Sequence, residues 1–201
     1  ILAALDHLNE GFAAQGYFAQ QGATVHTQIQ FCLAKRDPNG NATTGITRTQ
    51  SSLTNMTMET EDIQTKNLSR WNPKEYVNIW VVKEITSSSL GPGVAGYAYF
   101  PSSHGQPQDG MICEARFFGA SAADDAVLIH EMGHYFGLYH TFEGGCKNDN
   151  CAVDGDRVCD TPPDKATHTN CPFNSCATDV AAGSPFSSDI ADFTHDFMDY
   201  S

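Results

Sequence analysis

The stretch around which the chain is organised is HEMGHYFGLYH, at residues 130–140. His130 and His134 are four residues apart, so in a helix both imidazoles project from the same face. Two imidazoles at this spacing can hold one Zn²⁺ at about 2.0–2.1 Å per bond. Glu131 lies on the same helix but off that face, so its carboxylate can reach a water on the metal. The spacing therefore predicts a metal site with a base beside it.

Gly137 and His140 extend the motif. Gly137 is predicted to end the helix, because glycine adopts left-handed backbone angles at little steric cost. The turn lets His140 return as a third ligand, and three histidines leave the fourth zinc position open, which is typical of catalytic sites. The alternative is a histidine-rich helix end without a metal. A glycine and a third histidine at fixed offsets make a chance match rare.

The residues before His130 support a helix. Residues 126–129 (AVLI) form an apolar helical run. Asp124 and Asp125 stand near its start, where the helix dipole favours negative charge. We predict this helix over about residues 123–136.

Length and charge limit the class of protein. The 201 residues are enough for one domain with a sizeable core. The net charge is 11 − 24 = −13, which argues against nucleic acid or an anionic membrane as a partner. The acidic residues could serve cation binding, solubility or basic substrates. No apolar run approaches the ~18 residues of a membrane span and no signal peptide is recognisable, so secretion would depend on a segment outside this sequence. The oligomeric state does not follow from the sequence.

Five of the seven cysteines lie between residues 146 and 176. This density in a loop-rich region indicates disulfides and an oxidising compartment. A second zinc site is the alternative, although no CxxC pair is present. Because seven is odd, at least one thiol is free or has its partner outside the chain. Cys32 and Cys113 lie in apolar strand-like runs and are predicted to be buried thiols.

Hydrophobic periodicity predicts regular structure mainly before residue 140. Helices are expected at 1–14 and near 59–66, and strands at 24–34, 76–85, 97–101 and 111–118. Residues 141–197 are rich in Cys, Asp, Pro and Gly, so we expect them to be irregular and held by disulfides and metal.

Four sequence motifs carry a family resemblance. They are HEMGHYFGLYH at 130–140, HTFEGGC at 140–146, GDRVCDTP at 155–162 and FMDYS at 197–201. With these motifs the chain resembles the metzincin zinc metalloproteases, and more narrowly the pappalysin family. Residues 29–34 and 36–40 also look like the amino-terminal half of these enzymes. The resemblance covers most of the chain and is most specific over 124–162 and 196–201.

The resemblance implies an α+β fold. It implies a twisted, mostly parallel sheet with an antiparallel edge strand, two main helices and an irregular C-terminal subdomain supported by disulfides and metal. The chain would be a single metalloprotease catalytic domain, residues 1–201, with an upper subdomain at 1–137 and a lower one at 138–201. Relatives carry a strand before the first helix and a further helix after the last motif, so we expect this chain to be truncated at both ends.

The last motif supplies two candidate site residues. Met198 matches the Met-turn methionine, which packs beneath the three histidines without binding zinc; without the resemblance it would be read as a gap-filler in the core. Tyr200 matches a tyrosine that ligates the metal or stabilises the reacting substrate. The alternative for Tyr200 is a buried tyrosine whose hydroxyl is satisfied.

The resemblance also implies calcium after the zinc motif. The Asp156 carboxylate, the Cys159 carbonyl and Thr161 match the ligand positions, and oxygen ligands on an Asp-rich loop suit Ca²⁺. Alternatively, the aspartates only solvate the loop or cap turns.

Four of the cysteines form two candidate disulfide pairs. By family analogy Cys146 would pair with Cys176. Cys151–Cys159 is a plausible local bridge, but connectivity cannot be deduced from sequence alone. Cys171 would have lost its partner with the missing tail.

The motifs together predict a secreted zinc endopeptidase that acts on proteins or peptides. Zinc would lower the pKa of its water toward about 7 and polarise the scissile carbonyl. Glu131 would take the proton and pass it to the leaving amine, and Tyr200 would help to stabilise the developing oxyanion. The substrate would add antiparallel to the edge strand. That strand is predicted to contain Tyr97, Ala98, Tyr99 and Phe100.

Three alternatives remain. A thermolysin-like site needs a downstream glutamate as third ligand, and Glu143 is too close for that pattern. A non-catalytic binding module could keep zinc for structure, but it would have no need of Glu131. An inactive fragment of an active enzyme is the third alternative.

Overall fold

A computed structural model of the chain describes residues 1–167 and 173–200. The helices are α1 (Leu2–Phe12), α2 (Gly16–Gln20), α3 (Met58–Asn67) and α4 (Ala122–Phe136). The strands are β1 (Asn55–Thr57), β2 (Ile79–Val82), β3 (Glu84–Ser87), β4 (Gly91–Pro92), β5 (Gly96–Ala98) and β6 (Met111–Glu114). In the described ranges, no helix has both the length and the apolarity needed to cross a membrane.

The chain divides into two compact units. The first contains residues 1–20 and 24–137, and the second contains residues 21–23 and 138–201. All the helices and strands named above belong to the first unit. That the whole chain is one catalytic domain stays a prediction.

The first unit contains two small mixed sheets, in agreement with the predicted α+β class. One has the order β1-β3-β4 and the other the order β2-β6-β5. Each sheet has one parallel and one antiparallel pair of strands. All four residues of β6 are buried, as is typical of a central strand covered on both faces. The edge position of β5 beside β6 gives the sheet the antiparallel edge that was predicted.

Residues 24–34 were predicted to form a strand, and this is wrong. Val25 is 73 % exposed, and two backbone N–H groups of this segment donate to α1. Thr27 N–H donates to the carbonyl of Phe12, and Phe31 N–H donates to the Asn9 side chain at 2.7 Å. Alternating apolar residues do not form a strand without a neighbouring strand to pair with. For the same reason Cys32 is exposed rather than buried.

The other predicted elements differ mainly in their bounds. The single strand predicted at 76–85 is two strands, β2 and β3, which belong to different sheets. They separate at Lys83, whose N–H donates to the carbonyl of Thr54 at 2.8 Å. The helix expected near 59–66 is α3, and Cys113 on β6 is fully buried, as predicted.

The second unit has no helix and no strand among its described residues, which agrees with the irregular region predicted there. It contains two disulfides, Cys146–Cys176 and Cys151–Cys159, the same two pairs considered from the sequence. Cys171 lies outside the described residues. A unit that lacks regular structure depends on such cross-links to limit the freedom of its unfolded chain.

Candidate active site

Helix α4 begins and ends where its sequence predicts. The Ser121 hydroxyl accepts a hydrogen bond from Asp124 N–H at 3.1 Å, which caps the first turn. Gly137 ends the helix with φ 101°, and its N–H donates to the carbonyl of His134 at 2.9 Å. This left-handed conformation strains any residue other than glycine. Asp125 on α4 is buried, and one of its oxygens lies 2.6 Å from His7 Nδ1 on α1.

The ring nitrogens of the three histidines in the motif lie close together. His130, His134 and His140 each offer a ring nitrogen, and these three atoms all lie within 4.8 Å of one another. Nitrogens bound to one zinc at about 2.0–2.1 Å lie roughly 3.3 Å apart, so a small adjustment of the rings would suffice. His130 and His134 are buried, and His140 is half-buried. The donor set fits zinc, and Glu143 is not part of it.

Glu131 has the properties expected of a base that receives a proton from water. It is 6 % exposed, and its Oε2 has no hydrogen-bond partner among the described residues. Burial raises the pKa of Glu131 to about 8, and a hydrogen bond from Ala98 N–H partly opposes this rise. A divalent cation nearby would favour the ionised carboxylate. The unsatisfied oxygen is a place where a water can bind.

The predicted substrate strand lies beside α4. Of its four residues, Tyr97 and Ala98 belong to β5, and Tyr99 follows with its N–H donating to the carbonyl of Gly110. The Phe100 ring is 5.4 Å from the ring of His134. In the described chain no strand pairs with the outer edge of β5. Ala98 N–H donates to Glu131, and the other outward backbone groups are available to a peptide.

Gly96 allows this strand to approach the glutamate. A Cβ at this position would lie 3.1 Å from Glu131 Cγ and 3.2 Å from the carbonyl oxygen of Ile112. The contact between Ala98 and Glu131 could not be predicted from the sequence, because it arises from the packing of β5 on α4.

In the second unit, Tyr200 contacts the third histidine. Its hydroxyl lies 2.9 Å from Nε2 of His140, and the two rings are 4.9 Å apart in a T-shaped arrangement. The Phe142 ring stacks on His140, with the centroids 4.7 Å apart and the planes 7° from parallel, and it also contacts the Tyr200 ring. The buried alternative for Tyr200 is wrong, since it is 61 % exposed. The stacking of Phe142 on His140 was not predicted from the sequence, although an aromatic residue two positions after a candidate ligand could have indicated it.

Met198 is 5 % exposed. Its carbonyl accepts a hydrogen bond from Thr141 N–H, the residue after His140, at 3.3 Å. Its own N–H donates to the Asp196 carboxylate at 2.7 Å. This turn fixes the chain next to His140, and its packing beneath the histidines stays a prediction.

The candidate calcium residues lie in one turn of the second unit. Asp156 accepts a hydrogen bond from Val158 N–H at 2.9 Å and another from the Thr161 side chain. Cys159 lies between them and is held by its disulfide to Cys151. Burial raises the pKa of Asp156 to about 6. Calcium at this turn stays a prediction.

Comparison with known proteins gives the class of this chain. A helix with two histidines and a glutamate, a glycine turn and a third histidine define a metzincin-type site on an α+β fold. The model of the family described as Pregnancy-associated plasma protein-A matches residues 58–201, which is more than half of the chain. The chain therefore belongs to this family of metzincin metallopeptidases, the pappalysins.

Individual relatives agree with the family. An extracellular metalloprotease of Pyricularia oryzae is 28 % identical over 94 % of this chain and 62 % of its own length. Another, from Neurospora crassa, is 27 % identical over 100 % of this chain and 65 % of its own length. The chain thus spans less than two thirds of these curated relatives.

A solved structure shows the same fold. Mature mirolysin of Tannerella forsythia in complex with a cleaved peptide superimposes with a TM-score of 0.74 at 29 % identity. The match covers 100 % of this chain and 75 % of the mirolysin chain.

Proposed function

We propose that this chain is the catalytic domain of a secreted zinc-dependent endopeptidase. The observation that carries the proposal is the buried Glu131, which has an unsatisfied carboxylate oxygen and directly follows His130 of the three-histidine group. In a domain whose zinc is only structural, such a carboxylate would lower stability without a compensating function, because burying it without a hydrogen-bond partner opposes folding.

His130, His134 and His140 would hold zinc, which when bound would supply Lewis acidity to a water and to the scissile carbonyl. Glu131 accepts a proton through Oε2 as the water oxygen bonds to the scissile carbonyl carbon, and it delivers that proton to the nitrogen of the leaving amine as the C–N bond breaks. The hydrogen bond from Ala98 N–H fixes the orientation of its carboxylate and so keeps Oε2 free for this transfer.

Tyr200 donates from its hydroxyl to the oxyanion that develops on the scissile carbonyl. Its position 2.9 Å from His140 Nε2 places the hydroxyl next to a candidate metal ligand. In the structure the Tyr200 hydroxyl uses the same ring nitrogen that could bind metal, so binding of the ion requires the hydroxyl to turn away.

The substrate is a peptide bound in extended form. Its main chain adds antiparallel to the outer edge of β5 and the two residues after it, at Tyr97–Phe100. Mirolysin, to which the chain is similar, has been solved with a cleaved peptide, which supports a peptide substrate. The names of the extracellular relatives support secretion. Calcium at Asp156, Cys159 and Thr161 supports the loop structure.

Replacement of Glu131 tests the proposal. Glu131→Gln should leave zinc bound, because glutamate is not a ligand, yet lower kcat for a labelled peptide by about a hundredfold or more. Glu143→Gln is the matched control: it changes an exposed glutamate close to the motif and should leave kcat unchanged. Zinc content by atomic absorption and peptide cleavage before and after a chelator are the measurements. Full activity of Glu131→Gln, or cleavage that survives complete zinc removal, would refute the proposal.

A further inference from the structure

Helix α3 carries a fully buried lysine. Lys66 is 0 % exposed, and Asp62, one turn earlier, is 6 % exposed. The Nζ atom of Lys66 lies 2.8 Å from Asp62 Oδ1 and donates to the carbonyl of Gln108 at 2.6 Å. A buried ion pair often adds little net stability, because both charges lose their hydration. A contribution to folding stability therefore does not by itself account for the presence of this buried ion pair.

The pair is in contact with one face of β5. Lys66 Nζ lies 5.4 Å from the ring centroid of Tyr97 and 4.3 Å from that of Tyr99, distances at which a cation is attracted to an aromatic ring. The Tyr97 hydroxyl also donates to Asp62 Oδ1 at 2.7 Å. Lys66 is therefore in contact with both ends of the connection between β5 and β6: it lies over the Tyr97 and Tyr99 rings at one end and donates to the Gln108 carbonyl at the other.

The other face of β5 is in contact with the catalytic helix. Side chains alternate along a strand, so Gly96 and Ala98 face away from Tyr97. A Cβ on Gly96 would lie 3.1 Å from Glu131 Cγ, and Ala98 N–H donates to the Glu131 carboxylate. A shift of β5 therefore moves the hydrogen bond that orients the proposed base.

We propose that Asp62 and Lys66 are positioning residues for the edge strand. The pair holds the Tyr97 side chain on one face of β5. It thereby maintains the hydrogen bond from Ala98 N–H to Glu131 and keeps the outer edge of β5 in place for a peptide main chain. Both residues lie on α3, outside the three-histidine group and outside β5. The catalytic part of this inference rests on the proposed function, whereas the tether on β5 does not depend on it.

The test separates positioning from stability. A double variant, Asp62→Leu with Lys66→Met, removes both charges, and such replacements of buried ion pairs are often neutral or stabilising. We expect a thermal midpoint near that of the wild type and unchanged zinc content. Amide hydrogen exchange at residues 96–100 should rise about tenfold, and kcat/KM for a peptide that spans the edge strand should fall about tenfold to a hundredfold.

Glu59→Gln is the control on the same helix. Glu59 bonds to Ser87 and Ser88 near the end of β3, not to β5. This variant should lower stability but leave both the exchange at residues 96–100 and kcat/KM as in the wild type.

The outcomes are distinguishable. A folded double variant with wild-type exchange and wild-type kcat/KM overturns the positioning role. If the wild type cleaves no peptide, the proposed function fails, and the exchange at 96–100 still decides whether the tether exists. If the double variant does not fold, Tyr97→Phe removes only the hydroxyl bond to Asp62 and should raise the exchange about threefold; unchanged exchange in that variant overturns the proposal.

Discussion

The hydroxyl of Tyr200 can be separated from its ring by one substitution. Tyr200→Phe keeps the aromatic contacts with His140 and Phe142 but removes the oxyanion donor. We expect kcat to fall about tenfold to a hundredfold, less than the loss of a fully buried donor, because the side chain is 61 % exposed. KM and zinc content should change little. Steady-state kinetics on one peptide measures this, and an unchanged kcat would remove Tyr200 from the mechanism.

Only some of the contacts in the candidate site could be predicted from the sequence. His130, Glu131 and His134 could be predicted because their relation depends only on the periodicity of a helix. The hydrogen bond from Ala98 to Glu131 could not, because it depends on how closely β5 packs on α4. The exposure of Tyr200 was likewise set by packing within the second unit rather than by its place in the motif.

Among the elements, helix α3 is anchored to strand β3 through one carboxylate. Glu59 accepts hydrogen bonds from the Ser87 hydroxyl at 2.6 Å and from Ser88 N–H at 3.0 Å. Hydrogen bonds from Ser87 and then Ser88 lower the pKa of Glu59 from 4.5 to about 2. The folded pKa is below the unfolded one, so this contribution to stability is complete above pH 4.5 and is lost as the pH falls toward 2.

Glu59→Gln should therefore be less stable than the wild type at pH 7, and the difference should shrink as the pH falls from about 4.5 toward 2. Urea unfolding of both proteins at a series of pH values measures it. A difference in stability that stays constant over this range would show that the charge of Glu59 is not the cause.

The strands were harder to predict than the helices. Helix α4 has a cap, an apolar face and a terminating glycine in consecutive sequence, so its bounds could be predicted. A strand needs a partner that is distant in sequence, and residues 24–34 have the composition of a strand but bond to α1 instead. The split between β2 and β3 at Lys83 follows from pairing with two different sheets, which periodicity does not reveal.

For the whole molecule, the two disulfides should differ in their effect on stability. Cys146–Cys176 joins residues 30 apart, and Cys151–Cys159 joins residues 8 apart. In the chain-entropy description, removal of the disulfide that closes the longer loop lowers the free energy of unfolding by about 3.7 kcal/mol, and removal of the one that closes the shorter loop lowers it by about 2.6 kcal/mol. Paired Cys→Ala variants and urea unfolding measure this order. The reverse order would mean that strain or residual structure outweighs loop closure.

Calcium dependence connects the acidic composition to the stability of the second unit. Burial raises the pKa of Asp156 to about 6. At pH 7 the carboxylate is therefore ionised, its burial opposes folding, and a bound cation would offset this unfavourable free energy. Added calcium should therefore raise the thermal midpoint of the zinc-loaded wild type. Asp156→Asn should lose this response, yet it should be at least as stable as the wild type in calcium-free buffer, because it removes the buried charge. Scanning calorimetry of both proteins with and without calcium tests this. A calcium response retained in Asp156→Asn would place the ion elsewhere, and no response in the wild type would leave Asp156 with only its bonds to Val158 and Thr161.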